Sequence, residues 1–299
     1  MKRTKCFILS AGLATGLATM FCACSHRGST AEPTVAKDSV VTPVSKDTLM
    51  TAVEEDTITI ETISFEKSDY TAEVSIIVDW PVAGGEAIVD SLRRHIAYLL
   101  EDKIDGPEDI KAHGEAMFES YSEDWHGLFD DTEPDDRGGS FDKTDIITKL
   151  VETDRYVTYY YHTYTFAGGA HGYTTEVGFT FRKSDGKQVQ PLADSDSPQL
   201  AQLIKEGVRA FFSGGAEQPY TDEELLEFLF TDDVSALDNL PLPNNPPYLT
   251  ETGLVFLYTQ YEIGPYSSGI ITFEIPFKEI LPFLSSEGKE LIQVQRCNI

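Results

Sequence analysis

The apolar positions of this chain follow two different periods. From Thr57 to Glu66 they alternate, with Ile58 and Ile60 on one face and Ile63 and Phe65 on the other, which predicts a strand. A second run, Tyr70 to Trp80, places Val74, Ile76 and Val78 on one face and is expected to end at Pro81, which cannot donate to a ladder. Gly84-Gly85 then opens a helix in which Ile88, Leu92, Ile96 and Leu99 form an amphipathic stripe. Residues 107–121 predict a second, weaker helix broken by Gly114, and the acidic stretch from Glu119 to Gly139 reads as a surface loop.

The remainder is richer in strands. Asp145–Glu152, Arg155–Phe166 and Tyr173–Arg182 predict three in succession, the last two joined through Gly168, Gly169 and Gly172. Leu200, Leu203, Ile204, Val208, Phe211 and Phe212 recur at helical spacing from Pro198 to Phe212, and Thr221-Asp222-Glu223-Glu224 is a capping box for a shorter helix. After a Pro/Asn-rich loop come strands at Gly253–Glu262 and Gly269–Ile275, a short helix at Phe277–Leu284 and a closing strand at Glu290–Arg296. The expected class is α+β, with mostly antiparallel strands in two small sheet-plus-helix modules. These are an N-terminal module over 57–140 and a C-terminal module over 141–299.

The first 56 residues follow neither period. Lys2, Arg3 and Lys5 precede an apolar stretch from Phe7 to Phe21, which is short for a spanning helix. Ala23-Cys24 at its end resembles a lipoprotein cleavage box, whereas the large Phe21 before Cys22 makes that position a poorer acceptor. Residues 1–23 are therefore expected to be a signal peptide, Cys24 the lipid attachment site, and 24–56 a polar tether rich in Ser, Thr, Pro, Asp and Glu. The expected location is the bacterial cell envelope, with the membrane reached through the lipid. Ser25 resembles the outer-membrane sorting class of a Gram-negative host. Cleavage would leave only Cys24 and Cys297, so no internal disulfide is expected.

Charge narrows the partners. With 23 Lys+Arg against 50 Asp+Glu, the formal charge is −27, and losing the signal peptide would make it three units more negative. That excludes nucleic acid, whose phosphates need clustered Lys and Arg, and favours a cationic partner. Templates for catalysis are missing: there is no Gly-x-Ser-x-Gly elbow, no His-Glu-x-x-His and no phosphate loop. No enzyme activity and no cofactor are expected.

Three groups of residues are candidates for contact with a ligand. The Gly168-Gly169-Ala170-His171-Gly172 loop permits positive φ and close backbone approach, so it is able to present N–H groups or His171, though the same glycines also suit a tight connection. His162 on the neighbouring strand adds a second imidazole, but two His without a fixed carboxylate make a poor metal signature, and no metal is expected. Tyr160 and Tyr164 share a strand face with Tyr156, His162 and Phe166. Exposed, they would suit a sugar or protein surface; half-buried, they belong to a two-sided sheet. Tyr261 and Tyr266 complete the set. Asp131, Glu133, Asp135 and Asp142 take calcium-loop spacing, yet Asp136 stands where that loop needs Gly.

Three ordered segments resemble a known family. They are Tyr164 through Gly172, then Asp185-Gly186-Lys187 running to Asp194, then Gly253 through Tyr261-Glu262-Ile263-Gly264-Pro265-Tyr266 to Pro276. Together they are similar to the extracytoplasmic domain of RsiV-type anti-sigma factors, which is also found beside the catalytic domain of PdaC-type peptidoglycan deacetylases. The segment 70–100 is similar to the domain that precedes it there. The resemblance implies recognition of lysozyme. A cleavable signal stands where that family has its sigma-binding segment and spanning helix, and no deacetylase motif occurs, so neither effector role is expected. The expected function is that of a lipid-anchored binding protein recognising lysozyme, another cationic protein or a cell-wall glycan. The rival is a peptidoglycan-acting envelope enzyme or accessory factor using His171.

Overall fold

The computed structural model describes residues 57–132, 138–193, 196–214 and 216–292. The expected signal peptide, Cys24 and the tether lie outside them. The chain is α+β with two sheets, a mixed one of five strands and an antiparallel one of three.

Strands β1 (Thr59–Ser68) and β2 (Ala72–Ala83) form a hairpin, and two helices follow, α1 (Glu86–Leu99) and α2 (Pro107–Phe129). The chain then returns as β3 (Phe141–Glu152), parallel to β2, and continues through antiparallel β4 (Tyr156–Phe166) and β5 (Tyr173–Arg182). A parallel pair needs a long crossover, and α1 and α2 supply it. They cover one face of the sheet. Val74, Ile76 and Val78 are buried there with Ile88, Leu92 and Ile96 of α1 and Ile110 and Phe118 of α2.

The boundary expected at residues 140 and 141 falls inside this sheet, because Ala72 pairs with Phe141 and the ladder runs on to Val78 and Ile147. The Gly- and Asp-rich chain before Phe141 suggests a linker, but the long-range pairing of β2 with β3 has no local signal. The second core is built instead on α3 (Pro198–Phe212), the short α4 (Asp222–Leu225), the sheet β6 (Tyr248–Leu249), β7 (Gly253–Tyr258) and β8 (Ile271–Pro276), and then α5 (Phe277–Ile280) and α6 (Ser286–Ile292). All of β7 is buried, as suits its central position between β6 and β8.

Strand β6 joins the two parts by lying on β4 and β5. Thr158 Oγ1 donates to the Leu249 carbonyl at 2.8 Å, Leu249 N donates to Thr180 Oγ1 at 3.0 Å, and the Tyr156 hydroxyl donates to the Thr250 carbonyl at 2.6 Å. Gly178 makes this approach possible, since a Cβ there would run into the Tyr248 ring.

Five local expectations change, one of them at the strand expected over Gly253–Glu262, which ends at Tyr258 because the Glu262 N–H turns back to the Thr259 carbonyl. Strand β2 continues past Pro81 to Ala83, because beyond Val78 it pairs only with β1 and no β3 carbonyl awaits the missing N–H. Helix α2 is unbroken at Gly114, where the absent Cβ admits the Phe65 ring of β1. It also extends to Phe129, so the first half of the expected acidic loop is helical; Trp125 on this stretch is buried and donates Nε1–H to the Gly139 carbonyl at 3.1 Å. Of the expected closing strand, residues 290–292 end α6, where Leu291 is buried, and the rest lies outside the described residues. Glu133 and Asp135 of the calcium-loop spacing also lie outside them. Among the described residues, no helix is long and apolar enough to cross a membrane.

Candidate functional site

The connection between β4 and β5 and the segment after β7 are far apart in sequence and meet in space. Gly168 and Gly169 adopt φ of 88° and 96°, a region that L residues rarely occupy, and so shape the turn that presents His171. Gly172 lies directly against the Tyr164 ring, where a Cβ would collide.

His171 is fixed from three sides. Its ring stacks on Tyr266 with centroids 3.8 Å apart and planes 22° from parallel. Its Nδ1 lies 2.9 Å from the Gly172 carbonyl oxygen, so Nδ1–H donates there. That tautomer leaves Nε2 to accept the Tyr261 hydroxyl at 3.2 Å. Both nitrogens of a neutral imidazole are then engaged, and no carboxylate touches the ring among the described residues.

Tyr261 bears a conformational cost for its position. It has φ of 65°, one of two positive-φ residues other than glycine among the described residues. A tight turn over residues 259–262 holds it there. Glu262 N donates to the Thr259 carbonyl at 3.1 Å, while the Glu262 carboxylate accepts Thr259 N at 2.8 Å, Thr259 Oγ1 at 3.1 Å and Asn244 N at 2.6 Å. Gln260 fastens the turn to the other segment, its Oε1 accepting Thr174 N of β5 at 2.9 Å. On the far side, Gly264 fits against the Phe228 carbonyl, which also accepts Ser268 Oγ at 2.7 Å.

Gly168, Gly169, His171, Tyr261 and Tyr266 are therefore brought together, with Tyr164 touching the same loop through Gly172. Tyr160 is not part of the cluster. It lies along β4 beside Tyr248, with ring centroids 6.3 Å apart, and burial together with its bond to Glu176 pushes its hydroxyl pKa up. The Tyr face of β4 is half-buried, closed at the Tyr156 end by β6 and the second core. His162 pairs with Glu176 at 3.1 Å instead of joining His171. Among the described residues, no group of three His, Cys, Asp or Glu is placed to hold a metal ion.

Sequence reasoning missed the residues that hold the cluster and those around it. Gln260 and Glu262 act only through folded contacts, and a Tyr at positive φ has no sequence signature. Tyr173 and Phe230 are exposed nearby, Tyr173 directly after Gly172 and Phe230 bonded through its N–H to the Ile263 carbonyl at 2.8 Å.

The comparisons bear on this part of the chain. Residues 193–278 match the model of a family described as a protein of unknown function, DUF3298, so the match includes Tyr261 and Tyr266 but begins after His171. A solved member of that family from Bacteroides fragilis is similar in structure, with a TM-score of 0.63 and 18% identity, covering 78% of this chain and 95% of its own. A second, from Pseudomonas aeruginosa PAO1, gives a TM-score of 0.50 at 14% identity, covering 78% of this chain and 96% of its own. At such identity the likeness concerns the fold. No curated protein matches the sequence.

Proposed function

We propose that this chain is a lipid-anchored extracytoplasmic binding protein of the bacterial envelope, without catalytic activity, whose recognition surface is the aromatic cluster at His171, Tyr261 and Tyr266. The observation that carries the reading is the backbone of Tyr261. A half-exposed tyrosine in left-handed conformation costs stability, and such strain persists at sites where a side chain must be presented. Here it presents a phenol beside a stacked imidazole, a rigid aromatic surface with polar edges of the sort that serves as a binding anchor.

The partner we favour is a cationic protein such as lysozyme. The formal charge of −27 supports steering of a basic partner, and two of the three segments that carry the resemblance to the RsiV-type domain meet in the cluster. The rival, a peptidoglycan-acting enzyme using His171 as a base, has less support, because both ring nitrogens are engaged within the protein. Attachment through Cys24 would hold the surface near the membrane.

Titration calorimetry of the full chain with a c-type lysozyme tests the reading at about 150 mM salt, where charge attraction is screened beyond ~8 Å. The expected result is a Kd of about 1 µM or tighter that weakens at least about tenfold in both Tyr261→Ala and His171→Ala. Binding seen only at low salt, no binding, or binding unchanged in both variants would overturn it.

A further inference from the structure

A second place in the fold has a different chemistry. A cleft of about 460 Å³ opens between α1 and the α1–α2 connection, over Trp80 and Ile104, which are buried. In a chain with more than two acids for every base, its rim gathers Arg93, Arg94 and Lys103. Their partners decide what the cleft can take.

Lys103 is paired with Asp105 at 3.2 Å, and Asp102 is held by His113 Nδ1 at 2.8 Å and by Lys103 N at 2.6 Å, contacts that lower its pKa. Those charges are answered inside the protein. Arg93 is held differently: Nε donates to the Pro81 carbonyl at 3.0 Å and the guanidinium lies over the Trp80 ring at 5.5 Å. Neither contact uses its two terminal nitrogens, which have no acceptor among the described residues. Arg94 is tied by Nε to the Asp90 carbonyl at 3.2 Å and by one terminal nitrogen to Ser91 Oγ at 3.1 Å, again without a carboxylate. The Asp90 carboxylate, also on the rim, has no partner among the described residues.

From this juxtaposition we propose that the cleft binds a short peptide through its free α-carboxylate. An anchored guanidinium is already oriented, so it loses little entropy on forming two parallel bonds to a carboxylate. Trp80, Ala97 and Ile104 offer an apolar floor for the peptide's side chains, and the unpaired Asp90 suits its ammonium end. A volume of about 460 Å³ is at the small end of the range for ligand pockets and fits a dipeptide. Phosphate alone would use the arginines but neither the floor nor Asp90. This proposal does not depend on the His171 cluster.

Calorimetry of the full chain with alanyl-leucine, its C-terminal amide and inorganic phosphate tests it. Expected is binding of the free peptide with a Kd of about 1 mM or tighter, weakened at least about tenfold by amidation and by Arg93→Gln. Phosphate should bind more weakly than the peptide, and His171→Ala should leave peptide binding unchanged. If Arg93→Gln lowers the melting temperature, Arg94→Gln, at an exposed position, carries the same expectation with a smaller loss. No heat from the free peptide at about 10 mM, equal affinity for the amide, or tighter binding of phosphate would each overturn the proposal.

Discussion

Replacing Tyr261 by glycine and by alanine separates the strain at this position from the contacts made there. A left-handed backbone costs an L residue roughly 1–2 kcal/mol. Glycine removes that cost but adds about 0.5–1 kcal/mol of chain entropy to the unfolded state. The residue is 49% exposed, and its bond to His171 at 3.2 Å sits at the surface, so the low end of the usual range, about 0.5 kcal/mol, applies. Tyr261→Gly should therefore leave stability within about 1 kcal/mol of the parent, although it removes a whole phenol ring. Tyr261→Ala loses the same contacts and keeps the strain, so it should be the less stable of the two by about 1 kcal/mol, or about 2–4 °C in Tm for a chain of this size. At a position with ordinary negative φ the order would be reversed. Urea unfolding followed by the fluorescence of Trp80 and Trp125 measures the difference, and both variants should lose the binding attributed to the cluster. Alanine equal to or more stable than glycine would show that Tyr261 is not held in the left-handed region, and the argument from strain would fall with it.

Other perturbations read other parts of the fold. Gly178→Ala drives a Cβ into the Tyr248 ring and should cost about 1–3 kcal/mol in urea unfolding, with much of the loss recovered in the double variant Gly178→Ala/Tyr248→Ala. Lys205, buried at 6% exposure, bonds Asp222 at 2.8 Å and Asp238 at 2.7 Å. Its replacement by Met should destabilise by about 1–2 kcal/mol and not more, since Asp222 keeps Arg209 at 2.7 Å and Asp238 is exposed. Bonds from Lys205 and then Arg209 hold the Asp222 pKa below the usual carboxylate value, so its stabilisation is present above the unfolded pKa and is lost as pH falls through the lowered one. The stability gap between parent and Asp222→Asn should accordingly close below about pH 4. Burial against Phe179 and Phe181 lowers the His95 pKa to about 4, so the folded state favours the neutral ring. That stability is complete above about pH 6.5 and drains away as pH falls toward 4, and His95→Leu should flatten the decline in this window; an unchanged slope would count against burial as its cause.

What the sequence makes legible here divides by the range of the interaction. Helix α3 spans Pro198–Phe212 and strand β5 spans Tyr173–Arg182, both as the periodicity predicts, and Thr221 caps α4 through Glu224 as the capping box requires. Each of these is decided within a few residues. Pro81 and Gly114 mislead for one shared reason: their local penalty is real, and the folded surroundings remove it. Beyond Val78 β2 has no β3 neighbour to miss the proline's N–H, and the Phe65 ring needs the space that glycine leaves.

The site divides in the same way. Gly168 and Gly169 announce positive φ by their identity, and His171 stands out because it follows them. Tyr261 and Tyr266 could be set beside His171 only through a resemblance, since nothing local links residue 171 to residue 261. In the folded chain that link is a few contacts: the stacking of His171 on Tyr266, the hydroxyl of Tyr261, and the bond from Thr174 N to Gln260. Of these, the bond to the buried Gln260 fixes the distance between the two segments, whereas the His171 contacts are exposed and individually weak. The geometry of the cluster is thus set by a residue that takes no part in its exposed surface. Gln260→Ala should therefore loosen Tyr261 and His171 together, a coupling that a surface assembled from independent side chains would not have.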